Sequence, residues 1–71
     1  MNAEVTLEIP AKDYADLAGE ARNDFMFIKR HELLNELEKA VVATGGTFQL
    51  GKVHLMAAEN ETRLLIQGSH P

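Results

Sequence analysis

The chain has 71 residues, no cysteine, 45% apolar and 25% charged side chains, and a formal net charge of -4. That length holds one domain with a modest core. The missing cysteine excludes disulfides and thiolate metal sites and leaves association as the route by which so small a fold gains stability. The balance of apolar and charged residues is that of a folded globule, and the acidic excess disfavours nucleic acid as a partner.

The opening Met1-Asn2-Ala3-Glu4 lacks the basic and apolar regions of a secretory leader, and no apolar run nears the roughly 20 residues that span a bilayer. A cytoplasmic protein with no membrane partner is expected. Residues 1–24 hold Glu4, Glu8, Asp13, Asp16, Glu20 and Asp24 against Lys12 and Arg22, so the whole net charge sits in the first third of the chain.

Val5, Leu7 and Ile9 alternate with Thr6 and Glu8, the period of a strand with one buried face, and Pro10 ends it. From Ala11 the pattern becomes helical: at about 100° per residue, Tyr14, Leu17, Ala18, Ala21, Phe25 and Ile28 share one stripe. Leu33, Leu34, Leu37, Ala40 and Val41 fall on nearly the opposite side of the same wheel. A single straight helix would send the two groups into different environments, so a break is predicted at Arg22 to Asp24, with Asn23 capping a second helix. An alternative makes Phe25-Met26-Phe27-Ile28 a short buried strand.

Gly45 and Gly46 predict the end of the second helix at Thr44. Beyond them lie period-2 patterns: Phe48 and Leu50; Val53, Leu55 and Ala57; Leu64 and Ile66. The Phe48 segment is expected either as its own strand or as the start of a long one bent at Gly51. Glu59-Asn60-Glu61 predicts a hairpin turn, and residues 67–71 a frayed tail. The predicted fold is α+β in the order β-α-α-β-β, one domain over residues 1–71, with two helices on one face of a three-stranded antiparallel sheet.

No motif points to catalysis or to a cofactor. Gly46-Thr47-Phe48-Gln49-Leu50-Gly51-Lys52 has P-loop spacing, but Val53 replaces the hydroxyl residue that would meet magnesium, and strand patterns flank the motif where a helix should follow. His31-Glu32-Leu33-Leu34-Asn35 resembles the zinc helix motif with one of its two histidines lost, and His54 and His70 stand alone. The single serine, Ser69, falls in the predicted tail with no histidine base assigned to it. Asn60-Glu61-Thr62 has the spacing of a glycosylation acceptor, which bears only on secreted proteins.

Two surface features remain. On the predicted first helix, Asp13, Asp16, Glu20 and Asp24 follow i, i+3, i+7, i+11 spacing along one side. That side is either an ordinary solvated face or a docking face for a basic partner. Phe25, Met26, Phe27 and Ile28 carry more bulk than one side of a small core takes, so they are candidate contacts as well as candidate core. Lys29, Arg30 and His31 form the one basic cluster, with Glu32, Glu36 and Glu38 beside it and Glu36 and Lys39 spaced to pair.

Val5-Thr6-Leu7-Glu8-Ile9, with Tyr14-Ala15-Asp16-Leu17 and Glu20-Ala21-Arg22, resembles the start of many small phage and prophage accessory proteins. The resemblance covers about the first 22 residues. It implies a small protein that binds and modulates a host or phage protein, often as a dimer, and it assigns no residue a role. The expectation is a non-enzymatic, self-associating interaction module, an inhibitor or modulator of a host or phage protein, that docks through Asp13, Asp16, Glu20, Asp24, Phe25, Met26 and Phe27. The alternative is a dimeric DNA-binding regulator using Lys29, Arg30 and His31.

Overall fold

A computed structural model describes residues 2–71. Its order is β-α-β-β: strand β1 (Ala3–Pro10), a 3-10 turn (Ala11–Asp13), helix α1 (Gly19–Ala43), a second 3-10 turn (Leu50–Lys52), and strands β2 (His54–Glu59) and β3 (Arg63–His70). The fold is α+β with a three-stranded antiparallel sheet, as the patterns predict. The last strand lies in the middle, in the order β1-β3-β2.

Register explains which strand residues are buried. Ile9 pairs with Leu64, Leu7 with Ile66 and Val5 with Gly68, so the apolar half of β1 and that of β3 share the face beneath α1. Ile9, Tyr14, Leu33, Leu64 and Ile66 form the core cluster, with Val5, Leu7, Leu17, Phe25 and Met26 packed against it. The helix comes close at Gly68: a Cβ built there would lie 2.6 Å from Leu33 Cδ2. The missing side chain lets the helix sit down on the central strand.

The predicted pair of helices is one helix. Nothing between Glu20 and Ala43 is a glycine or proline, so the cap preference of Asn23 meets no backbone interruption and the helix runs through Arg22 to Asp24. The interruption falls instead at Gly19, whose φ of 59° starts the helix after the connection from β1. Tyr14 and Leu17 reach the core from that connection, so the stripe they formed on the wheel is not helical. The second stripe anchors α1: Leu33, Leu37 and Val41 are buried, and the same face continues back through Met26 to Arg22. The alternative of a strand at Phe25-Met26-Phe27-Ile28 is likewise replaced by helix.

The helix ends as expected. Gly46 N–H donates to Val41 O at 3.1 Å and Gly45 N–H to Val42 O at 2.9 Å, a Schellman closure with Gly45 at φ 83°. Phe48 belongs to neither predicted strand form; residues 46–49 are irregular and lead into the 3-10 turn. The predicted frayed tail is also corrected, because β3 runs to His70 and pairs with β1 as far as Ala3. His70 is 4% exposed. Its Nε2 accepts from Gln49 N–H at 3.0 Å, its Nδ1 lies 2.9 Å from Pro71 O, and Phe48 stacks on its ring at 5.4 Å. A central strand needs its full length, and the imidazole ties the irregular segment to its end.

The Asn60 turn is built by its side chain. Oδ1 accepts from Thr62 N–H, Thr62 Oγ1–H and Arg63 N–H at 2.9, 2.8 and 3.0 Å. The molecule measures 40 × 21 × 16 Å, its long axis set by the 25 residues of α1, about 37 Å at the helical rise. Its Cα radius of gyration is 13.2 Å, against about 11 Å for a compact chain of this length.

Candidate interaction surface

The four predicted docking acids do not line one helix. Asp13 closes the first 3-10 turn, Asp16 lies in the connection, and only Glu20 and Asp24 share a face of α1. The i, i+3, i+7, i+11 spacing lost its meaning when the helix began at Gly19. All four are exposed, and the connection that carries Asp13 and Asp16 leaves β1 beside the β2–β3 hairpin, where Ala11 N–H meets Thr62 O at 3.0 Å.

That hairpin end is pinned by ion pairs. Arg22 Nη2 lies 2.5 and 2.6 Å from the two Glu59 carboxylate oxygens, with its guanidinium 5.3 Å from the centre of the Tyr14 ring. The Glu59 hydrogen bond and charge hold the Arg22 proton more firmly than usual. Arg63 Nη1 meets Glu8 Oε1 at 3.2 Å across β1 and β3. Both pairs are solvent-exposed and orient side chains more than they stabilise the fold. Below them, the Tyr14 hydroxyl is buried with no hydrogen-bond partner among the described residues.

The apolar quartet is divided by the helix. Phe25 and Met26 turn toward the core, while Phe27 and Ile28 stand 65% and 55% exposed, Phe27 with its ring 4.5 Å from that of His31. The basic cluster is divided too. Consecutive helical residues diverge by about 100°. Lys29 folds over Phe25 at 5.4 Å and pairs with Glu32 at 3.2 Å, whereas Arg30 and His31 point elsewhere into solvent. The expected Glu36–Lys39 pair forms at 3.4 Å.

The surface that the patterns did not single out is β2. All six of its residues are exposed, including Leu55 at 44% and Met56 at 70%. α1 packs over β1 and β3 and leaves β2 uncovered. On the sheet face away from α1, Met56 pairs with Gln67 and Ala58 with Leu65, around an open cleft of about 90 Å³. A small-molecule pocket takes about 300 Å³ or more. The larger depression, about 550 Å³, is lined by Asn35, Glu38, Lys39, Val42 and Ala43. All five come from one helix, so no second wall encloses a ligand.

Among the described residues no three His, Asp or Glu side chains gather as a metal site requires. His31 projects from the outer side of α1 and His54 from the opposite face of the sheet. The Gly46–Lys52 spacing opens no helix, since it runs through the irregular segment and a 3-10 turn into β2. No helix among the described residues is long and apolar enough to cross a membrane. Comparison with protein families, curated proteins and solved structures finds no match. The free edge and bare faces of β2 are therefore the feature that most needs a function.

Proposed function

We propose that the protein is a small interaction module whose contact surface centres on β2, with the carboxylates at the hairpin end orienting a partially basic partner. One observation carries this reading. His54–Glu59 has apolar Leu55-Met56-Ala57-Ala58 in its middle, no charge until Glu59, no proline, and one unpaired edge. Edge strands that stay alone are normally short, charged, kinked or covered, because their free N–H and C=O groups template further pairing. β-Strand addition uses such an edge for affinity and the alternating side chains for selectivity.

The acids take the secondary part. Asp13, Asp16, Glu20 and Asp24 are exposed and free to steer an oppositely charged surface, which raises on-rate and fixes orientation more than it adds affinity. Modulation of the partner follows if β2 occupies an edge that the partner uses itself.

The experiment is capture from a lysate of the source cells by three tagged proteins: the native chain, Met56→Lys, and the fourfold Asp13, Asp16, Glu20 and Asp24 to Lys variant. Each captured protein is then purified and rebound. Loss of a stoichiometric complex in Met56→Lys, with slower association in the charge-reversed variant, is the expected result. Equal binding by the native chain and Met56→Lys would remove β2 from the contact.

A further inference from the structure

We infer that the occupant of the β2 edge is a second copy of this chain, paired antiparallel so that two three-stranded sheets become one of six strands. The inference rests on the reading of β2 as a contact surface and names its partner there; the exposed acids Asp13, Asp16, Glu20 and Asp24 take no part in this pairing.

The charge at the two ends of β2 favours a copy of the same strand, and the exposed area of the chain and the symmetry of such a pair are compatible with it. The chain exposes 5028 Å², while a compact monomer of its mass exposes about 4400 Å². The excess of about 600 Å² is most of the ~800 Å² that each partner contributes to a standard interface.

β2 begins just after Lys52, with His54 as its first residue, and ends at the acidic turn Glu59-Asn60-Glu61. Antiparallel alignment about a dyad at Met56 or Ala57 brings the Lys52 end of one copy's strand to the acidic Glu59-Asn60-Glu61 end of the other's, so the two ends are complementary in charge without these side chains pairing directly. Parallel alignment would set Glu59 beside Glu59, and like charges directly opposite are destabilising. Antiparallel pairing also sends the two acidic hairpin ends to opposite ends of the dimer.

Two identical antiparallel strands in one sheet are related by a twofold axis perpendicular to it, which makes the interface isologous and closed, so the edge that invites pairing is used up. The dyad then falls at Met56 or Ala57, the middle of the strand. It places both helices on the same side of the six-stranded sheet, flanking Leu55 and Ala57 of both copies, which lie on the helix-side face of β2.

The absence of cysteine makes the test direct. Sedimentation equilibrium over a roughly hundredfold range of concentration reads the mass of the native chain, of Met56→Lys and of Phe27→Lys. Twice the monomer mass is expected for the native chain and for Phe27→Lys, and the monomer mass for Met56→Lys. Met56 and Phe27 are both largely exposed, so circular dichroism should find all three folded. Single-cysteine variants at 56 and 57 supply a second readout. Residues facing across an antiparallel pair have Cα atoms about 4.5–5.5 Å apart, within disulfide reach. Mild oxidation should therefore cross-link whichever position lies on the dyad, while Phe27→Cys stays unlinked.

A native chain that is monomeric throughout the range overturns self-pairing. So does a dimer that Phe27→Lys dissociates and Met56→Lys does not. If the native chain is monomeric but a different captured protein is lost with Met56→Lys, the contact surface stands and only its occupant is wrong. If capture also ignores Met56→Lys, both readings fall.

Discussion

β1 and β2 flank the same central strand, both pair with it antiparallel, and both carry apolar side chains, yet Ile9 is buried with Val5 and Leu7 packed beside it while every residue of β2 is exposed. Hydrogen-bonded pairing and side-chain burial are thus separate events in this protein. β1 gains both because α1 lies over it and over β3. β2 gains only the ladder, and its Leu55 and Met56 remain available for contacts outside the chain. Apolarity is similar on the two sides; the position of one helix makes the difference.

Substitutions on the two sides should therefore have very different costs. Leu33→Ala removes a fully buried side chain from the middle of the covered half and should cost about 2–5 kcal/mol, enough to leave much of so small a domain unfolded in a denaturant titration. Gly68→Ala places a methyl against Leu33 and Leu55 and should cost about 1–3 kcal/mol through overpacking. A smaller loss would mean that α1 shifts easily along the sheet. Asn60→Ala removes the acceptor of three hydrogen bonds in the turn that joins the two halves, a loss of about 1 kcal/mol visible in the thermal midpoint.

Tyr14→Phe deletes a buried hydroxyl that has no partner among the described residues, so stability should be unchanged or slightly raised. A clear loss would show that a water or a moved side chain serves that oxygen. Met56→Lys on the uncovered side should change the stability of the isolated protomer by no more than about 0.5 kcal/mol. Its effect should appear elsewhere: the thermal midpoint of the native chain should rise with protein concentration, and that of Met56→Lys should not.

The legible parts of the fold were those governed by short-range rules. Alternation at Val5, Leu7 and Ile9 and at Leu64 and Ile66 needs only the period of a strand, the Gly45 closure needs only a residue tolerant of positive φ, and the Asn60 turn needs only its own side chain. The helical wheel misled because it assumes that a helix exists. Tyr14 and Leu17 are apolar because they reach the core, and their spacing matched a helix that starts only at Gly19. The predicted acidic stripe failed with it. His70 was misplaced because a terminal polar residue reads as a tail unless its strand is known to be central.

Local preference in this sequence thus determined the strand faces, the end of the helix, the hairpin turn and the α+β class, since each depends on a few adjacent residues and the allowed backbone angles. The tertiary structure decided that the last strand is central, that one helix runs unbroken over two of three strands, and that β2 is left bare. Those outcomes depend on which surfaces meet across dozens of residues, where Leu33 settles against Gly68 and Arg22 reaches Glu59. The part of the sheet that the helix does not cover is the surface proposed here for contact.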